Sequence, residues 1–238
     1  MKKLKEISAF FPAYNDEGTV GLMVERLHKV LKKVADDYEI IIINDCSPDK
    51  TGEIADEIAG KDKKVRVIHH KKNKGYGGAL KSGFKESKNG WIFYTDGDAQ
   101  YDVAELESLV PFADKYDVIN GYKISRGDSF YRRIIGEAYN IIIGKVFFEL
   151  KVRDMDCDFR LMKKIIFDKI KLYANDGSIC LEMMKKIQNA GFKIKNVPVH
   201  HYPRIYGSSQ FFKFSRILKS LVGLAKKWYN LVLLKKTK

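Results

Sequence analysis

Asp96-Gly97-Asp98-Ala99-Gln100, following the apolar run Trp91-Ile92-Phe93-Tyr94, delivers two carboxylates and a carboxamide to the end of a strand-like segment. Hard oxygen donors grouped in this way suit Mg²⁺ or Mn²⁺, which leave positions open for the oxygens of a diphosphate. Such an ion would act as a Lewis acid on a departing diphosphate. Two further acidic runs also follow apolar stretches: Pro12-Ala13-Tyr14-Asn15-Asp16-Glu17 and Asn44-Asp45-Cys46-Ser47-Pro48-Asp49. Each alone reads as turn and capping chemistry. Gathered on one sheet edge, the three would line a single acidic rim.

The elements that must position them alternate. Ile7–Phe11, Tyr38–Ile43, Val65–His69 and Trp91–Thr95 read as buried strands. Between them, residues 17 to 35 place Val20, Met23, Val24, Leu27, Val30, Leu31 and Val34 on one helical stripe, with Asn15 as N-cap. Asp49 is expected to cap a second helix, and Asp102 with Glu105 to form a capping box before Leu106. Strand-helix-strand repetition implies right-handed crossovers and an α/β, mostly parallel, doubly wound sheet flanked by helices. Ligands bind beyond the carboxyl ends of such strands, where the acidic runs lie. Later elements are a strand at Asp117–Asn120, helices near 131–149 and 177–190, and a strand at Lys193–Val199. Asn73-Lys74-Gly75-Tyr76-Gly77-Gly78 suggests a phosphate cradle but lacks the Gly-Lys-Ser/Thr ending of a triphosphatase loop, and reads as a turn into a helix at Ala79–Ser87.

The bulk properties narrow the classes. Lysine and arginine outnumber aspartate and glutamate 44 to 30, a formal charge of +14, which favours an anionic partner: nucleic acid, phosphorylated substrate or acidic lipid. A basic nucleic-acid-binding module is disfavoured because no such signature is present and the carboxylates occupy the ligand edge. Cys46, Cys157 and Cys180 are too scattered for a disulfide framework, which suits a reducing cytosol. His69-His70 and His200-His201 do not suggest zinc, since neighbours on a strand point to opposite faces. The apolar stretch Ile7–Phe11 is too short for a signal-peptide core, and Lys219, Lys226 and Lys227 interrupt the apolar residues 217 to 234. Across 209–238, Phe211, Phe214, Leu218, Leu221, Ala225, Trp228 and Val232 form one stripe opposite Lys213, Arg216, Lys219, Lys226 and Lys227. This C-terminal amphipathic helix is expected to dock on an anionic membrane surface, on the body of the protein or on a partner. The expected location is cytoplasmic, peripheral on the cytoplasmic face of the membrane.

Four runs in order carry a resemblance: Phe11 to Glu17, Ile43 to Thr51, Asn73 to Ala79 and Thr95 to Gln100 resemble family 2 glycosyltransferases of the GT-A (nucleotide-diphospho-sugar transferase) fold. Asp154-Met155-Asp156-Cys157-Asp158-Phe159-Arg160 and His200 to Ser209 are similar to the polyprenyl-phosphate sugar transferases, the group that includes dolichol-phosphate mannosyltransferase. The resemblance implies a GT-A domain over 1–208, with a nucleotide-sugar half at about 1–116 and an acceptor half at about 117–208. It implies that Pro12, Tyr14, Asp16, Asp45, Asp96, Gly97 and Asp98 hold the nucleotide-sugar, Asp45 accepting from a ring N–H of the base. Asp96, Asp98 and Gln100 would hold Mg²⁺ or Mn²⁺, and Asp96, Asp98, Arg160 and Arg204 would form the catalytic set. The implied reaction moves a hexose from a GDP-mannose or UDP-glucose type of donor to a dolichyl or undecaprenyl phosphate, with inversion. Lys123, Arg133, Arg160, Arg204 and Ser208 are the candidates to hold the acceptor phosphate, because an arginine fork matches phosphate oxygens in pairs. The chain departs from the group at Asp158, where glycine is usual, and at Gln210, where lysine is frequent. A saccharide hydroxyl is the alternative acceptor; it would require a base, for which Glu182 or Asp154 is available.

Overall fold

Alternation of apolar side chains between two faces builds the central sheet. In the computed structural model, which describes residues 3–126, 130–204, 206, 225 and 227–237, seven strands lie in the order β3-β2-β1-β4-β6-β5-β7. They are β1 (Leu4–Ala13), β2 (Ala35–Asn44), β3 (Val65–His69), β4 (Trp91–Thr95), β5 (Val118–Arg126), β6 (Phe159–Lys163) and β7 (Ile194–His201). Only β6 runs against its neighbours, β4 and β5. The helices are α1 (Val20–Val34), α2 (Thr51–Lys61), α3 (Tyr76–Glu86), α4 (Leu106–Leu109), α5 (Phe130–Tyr139), α6 (Ile166–Lys169) and α7 (Ile179–Asn189). α5 continues as a π-helical segment over Asn140–Phe147.

Ile7, Ala9, Phe11, Ile40 and Ile42 face one core with α1. Phe10, Ile41 and Ile43 face the other core with α3 and α7. Burial on both faces is why these strands read as continuous apolar runs rather than as alternating ones. The order reverses between β1 and β4, both parallel to each other, which opens a crevice at their carboxyl ends.

Several local expectations are revised. Asn15 does not cap α1: its φ is 59°, a left-handed turn residue, and the helix begins after Thr19, whose backbone N–H donates to the Asp16 carbonyl at 2.9 Å. Asp49 holds the first turn of α2 from one residue further out, accepting from Thr51 N at 3.1 Å. Asp102 caps as expected through Ala104 N, but Glu105 turns away to His200, so the reciprocal half of the box is missing. β6 was not expected. The side chain of Arg133, like those of Arg126 and Arg132, lies outside the described residues, as do Ser208 and most of 209–238.

Arg160 locks β6 in place. Its side chain is 0% exposed, with Nε donating to Asn120 Oδ1 at 2.6 Å, Nη2 to the Met155 carbonyl at 2.6 Å, and Nη1 to the Tyr94 hydroxyl and, at 3.3 Å, to Asp158. One guanidinium thus joins β4, β5, β6 and the loop before β6. Removing it strands buried acceptors, which costs more than losing a surface pair. Arg160→Ala is expected to lower unfolding stability by about 3–5 kcal/mol, whereas Arg204→Ala should cost about 0–1 kcal/mol. Denaturant midpoints measured at constant m-value distinguish the two.

Candidate active site

The loops after β1, β2 and β4 meet at the crevice, and each contains one non-glycine residue in the left-handed region: Asn15 (φ 59°), Cys46 (φ 61°) and Ala99 (φ 58°). Such residues persist where surrounding bonds over-determine the backbone. Here Asp16 N donates to Thr51 Oγ1 at 2.9 Å, Asn15 N to Ser47 Oγ at 3.3 Å, and Asp45 N to the Ala13 carbonyl at 3.1 Å, so the first two loops are tied together. Gly97 closes the third against the first: a Cβ there would lie 2.5 Å from the Pro12 carbonyl and 3.4 Å from Asp16 Oδ2. Pro12, Asp16, Asp96, Gly97 and Asp98 are brought together. Tyr14 lies exposed at the rim, its N–H donating to Asp16 Oδ2 at 2.9 Å.

The acids in this crevice are under electrostatic pressure. Burial pushes Asp16 up to about 6, with Asp98 nearby adding to it. Asp96 is raised well above the usual carboxylate range, first by desolvation and then by Asp158 and Asp98. Asp98 is also raised by burial, against the opposing pull of Arg204. Asp158 joins the cluster and is pushed to about 6 by burial. Tyr76 donates its hydroxyl to Asp96 Oδ1 at 2.9 Å, and Arg204 Nη2 to Asp98 Oδ2 at 2.6 Å. Among the described residues no group of three or more His, Cys, Asp or Glu is placed to hold a metal ion by itself. A pair of adjacent, underneutralised carboxylates nevertheless fits an ion that draws its other ligands from a diphosphate and water.

Gln100 reaches the same edge but is bound to a crossing segment: its Nε2 donates to the Tyr202 carbonyl at 2.9 Å, and Tyr202 N donates back to the Gln100 carbonyl at 2.7 Å. Beyond Tyr202, Arg204 holds Asp98, and Tyr206 donates to Glu17 Oε1 at 2.9 Å with its ring lying over Gly18. This strap crosses from the β4 loop to the β1 loop. Sequence reasoning overlooked Tyr206 and Glu17 as partners because 189 residues separate them. Tyr76 was visible only as the aromatic member of the glycine run.

Asp45 is buried. Its Oδ1 accepts from His70 Nδ1 at 2.5 Å and from Lys74 N at 2.8 Å, and His70 Nε2 pairs with Ser82 Oγ at 2.8 Å. His69 faces the other way, toward Asn44 and Asp56, as expected of adjacent strand residues.

The expected acceptor cations separate. Arg160 is the correction: with no exposed surface and every nitrogen engaged within the sheet, it braces the framework and does not face the crevice. Lys123, its Nζ donating to the Asp156 carbonyl at 2.8 Å, is near enough to Asp96 and Asp98 to lower both. Arg204 is partly exposed on the rim. Glu182 is buried and accepts from Tyr173 N at 3.0 Å and Ala174 N at 2.9 Å, pairing also with Lys186 at 3.1 Å. Asp154 is buried, accepting from Asp156 N at 3.1 Å and Asn140 Nδ2 at 3.4 Å. The glycine run is no open cradle: a Cβ at Gly75 (φ 76°) or Gly77 would lie 2.5 Å from the carbonyl of Asn175 or Ala174, so these glycines admit the 174–175 loop.

Known proteins resemble this chain in sequence and in fold. AglD, a glycosyltransferase of Haloferax volcanii, is 31% identical over 84% of this chain, although the chain spans only 33% of that protein. An undecaprenyl-phosphate 4-deoxy-4-formamido-L-arabinose transferase of Proteus mirabilis is 26% identical over 94% of the chain and 68% of its own length. Among solved structures, glucosyl-3-phosphoglycerate synthase from Mycobacterium tuberculosis, in complex with phosphoglyceric acid, superposes with a TM-score of 0.68 at 15% identity, covering 95% of this chain and 79% of that one. The same enzyme bound to Mn²⁺, uridine diphosphate and glucosyl-3-phosphoglycerate gives a TM-score of 0.64 at 15% identity, covering 96% and 79%. These superpositions establish the GT-A fold. The sequence model of glycosyl transferase family 2 matches residues 8–171, and with the acidic loops assembled at the switch point of the sheet, the chain belongs to that family of glycosyltransferases.

Proposed function

We propose that this chain transfers a hexose from a nucleoside-diphosphate sugar to a polyprenyl phosphate at a membrane surface. The observation that carries the reading is the pairing of opposite charges at one edge: Asp96 and Asp98 for a diphosphate-bound cation, beside the partly exposed Arg204 for an anionic acceptor, with the more deeply set Lys123 adding positive charge behind them. The names of the Proteus mirabilis relative and its counterparts point to the same acceptor class. Asp45 would read the base and Tyr14 would flank it, Asp16 and Gly97 shaping the floor beneath the diphosphate. Bound at Asp96, Asp98 and Gln100, Mg²⁺ or Mn²⁺ would supply Lewis-acid neutralisation of the leaving diphosphate.

The chemistry then asks little of the protein in proton transfer. A phosphate monoester has its second pKa near 6 and is largely dianionic at neutral pH. Its oxygen attacks the anomeric carbon from the face opposite the diphosphate; the anomeric C–O bond breaks and its electron pair leaves with the nucleoside diphosphate. Arg204 would release Asp98 and orient the acceptor phosphate. A hydroxyl acceptor would need a base, and both candidates, Glu182 and Asp154, are instead occupied with backbone N–H groups and buried neighbours. That commitment favours the phosphate.

A membrane surface is supported by exposed apolar side chains. Ile141, Ile142, Val146 and Phe147 project from the π-helical segment, Val146 being 67% exposed. Tyr229, Leu233 and Leu234 lie exposed on the segment joined to it through Trp228 Nε1, which donates to the Phe147 carbonyl at 2.7 Å. Lys145, Lys235 and Lys236 flank them, a composition suited to anionic headgroups. Among the described residues, no helix is long and apolar enough to cross a bilayer.

Incubated with undecaprenyl or dolichyl phosphate, Mn²⁺ and a panel of sugar nucleotides, the protein should release a nucleoside diphosphate. Absence of release from every donor would sink the reading. Asp98→Asn should lower kcat by about 10²–10³-fold, while Glu182→Gln and Asp154→Asn should act mainly through stability. A loss of kcat in either as deep as in Asp98→Asn, with donor binding preserved, would instead favour the hydroxyl acceptor.

In vesicle flotation, Ile141→Glu combined with Val146→Glu is expected to reduce binding to anionic vesicles about tenfold or more, since two buried apolar side chains are worth ~1.5–3 kcal/mol each. Unchanged flotation would remove this surface from the reading.

A further inference from the structure

On the outer side of the Asp45 loop lies a second basic feature that the transfer reaction does not use. A cavity of about 520 Å³ opens between the Lys72–Lys74 loop and the flank of α3, lined by Lys72, Lys74, Lys81, Lys85, Ser82 and Asn175. No carboxylate lines it. Four ammonium groups around one concavity repel one another, and the protein keeps them there. Lys81 is anchored by donating to the Tyr173 carbonyl at 3.0 Å and to Asn175 Oδ1 at 2.6 Å; burial lowers its pKa, the charge of Glu182 opposing the shift and Lys74 adding to it. Four lysines around one concavity, one of them anchored and none with a carboxylate in the lining, fit a multivalent anion better than they fit water.

The cavity is wired to the donor side. Asp45 as a carboxylate can only accept, so the proton between it and His70 belongs to Nδ1. In the neutral imidazole Nε2 is then an acceptor, and Ser82 satisfies it by donating its hydroxyl. That hydroxyl belongs to a residue lining the cavity. An anion arriving there would compete for the Ser82 proton, and the His70 ring must answer, with its other nitrogen on Asp45. A second link runs through the backbone: Lys74 N donates to Asp45 Oδ1 at 2.8 Å and Asn73 Nδ2 to the Asp45 carbonyl at 3.1 Å.

We infer that this lysine cavity is an anion subsite for phosphate or pyrophosphate groups, whether free or on lipid headgroups, and that its occupancy is transmitted through Ser82 and His70 to Asp45. The consequence for donor binding rests on the proposed role of Asp45 in reading the base; anion binding and its effect on His70 do not.

The test uses the full chain in EDTA at low salt, so that no metal draws the probe to the Asp96–Asp98 rim. Inorganic pyrophosphate is titrated by calorimetry, and phosphatidylglycerol vesicles by sedimentation in an Ile141→Glu, Val146→Glu background that removes the apolar membrane face. Binding of either probe should weaken about tenfold in the double variant Lys72→Gln, Lys85→Gln, two charges being worth roughly a factor of three each. Pyrophosphate binding assigns a soluble anion and vesicle binding alone a lipid headgroup; both support the subsite. The His70 ring resonances, assigned with His70→Gln, should move on adding pyrophosphate or short-chain phosphatidylglycerol to the wild type and stay fixed in Ser82→Ala. Equal binding by wild type and the lysine variant, no binding of either probe, or a His70 ring indifferent to a bound anion would each overturn the inference. None of these results depends on whether the chain transfers sugar.

Discussion

Carboxylates crowded at the carboxyl edge repel one another, and much of the surrounding architecture offsets that repulsion. Two unit charges about 5 Å apart at an effective dielectric of about 20 oppose each other by roughly 3 kcal/mol. Asp16, Asp96, Asp98 and Asp158 all share the edge, and burial drives each upward. The Tyr76 hydroxyl, the Lys123 ammonium and the Arg204 guanidinium relieve part of this load. Each arrives from a different element: the start of α3, the middle of β5 and the strap after β7. The crowded acidic rim is therefore also the point at which separate parts of the chain are drawn together.

The first four strands were legible because parallel strands buried on both faces must be apolar at nearly every position, and Ile40 to Ile43 fill both cores in alternation. β6 escaped for the opposite reason. Phe159–Lys163 contains Arg160 and follows Asp158, and a charged residue in a short apolar run reads as a site rather than as a strand interior. Its meaning depends on Asn120 and Tyr94, 40 and 66 residues away, which no local pattern connects to it. The same blindness placed Arg160 among the acceptor cations: sequence identifies a guanidinium, not which side of the sheet closes over it.

At the rim, residue type was legible but local geometry was not. Asn15 suits both an N-cap and a left-handed turn, since its short polar side chain serves each. The choice was made by Thr51 and Ser47, which bind the Asp16 and Asn15 amides and turn the loop before the helix starts. Gly75 and Gly77 similarly suit a phosphate cradle or a close backbone contact, and the carbonyls of residues 174 and 175 occupy the space. Glu182 explains why that loop is where it is, because both of its oxygens are spent on the preceding amides.

The two arginines of the later motifs sit in opposite environments. Arg160 has every nitrogen engaged and no exposed surface, so a ligand could reach it only by opening β6 from β4 and β5. Arg204 is held on one carboxylate and is itself partly exposed, so its guanidinium is open to an incoming oxyanion on the solvent side. In the proposed reaction, Arg204 would trade Asp98 for a phosphate oxygen, freeing the carboxylate for a cation and placing positive charge where the acceptor would arrive. The buried arginine would keep that exchange local, because it bonds the sheet beneath the rim across β4, β5 and β6 while Arg204 lies on the strap above.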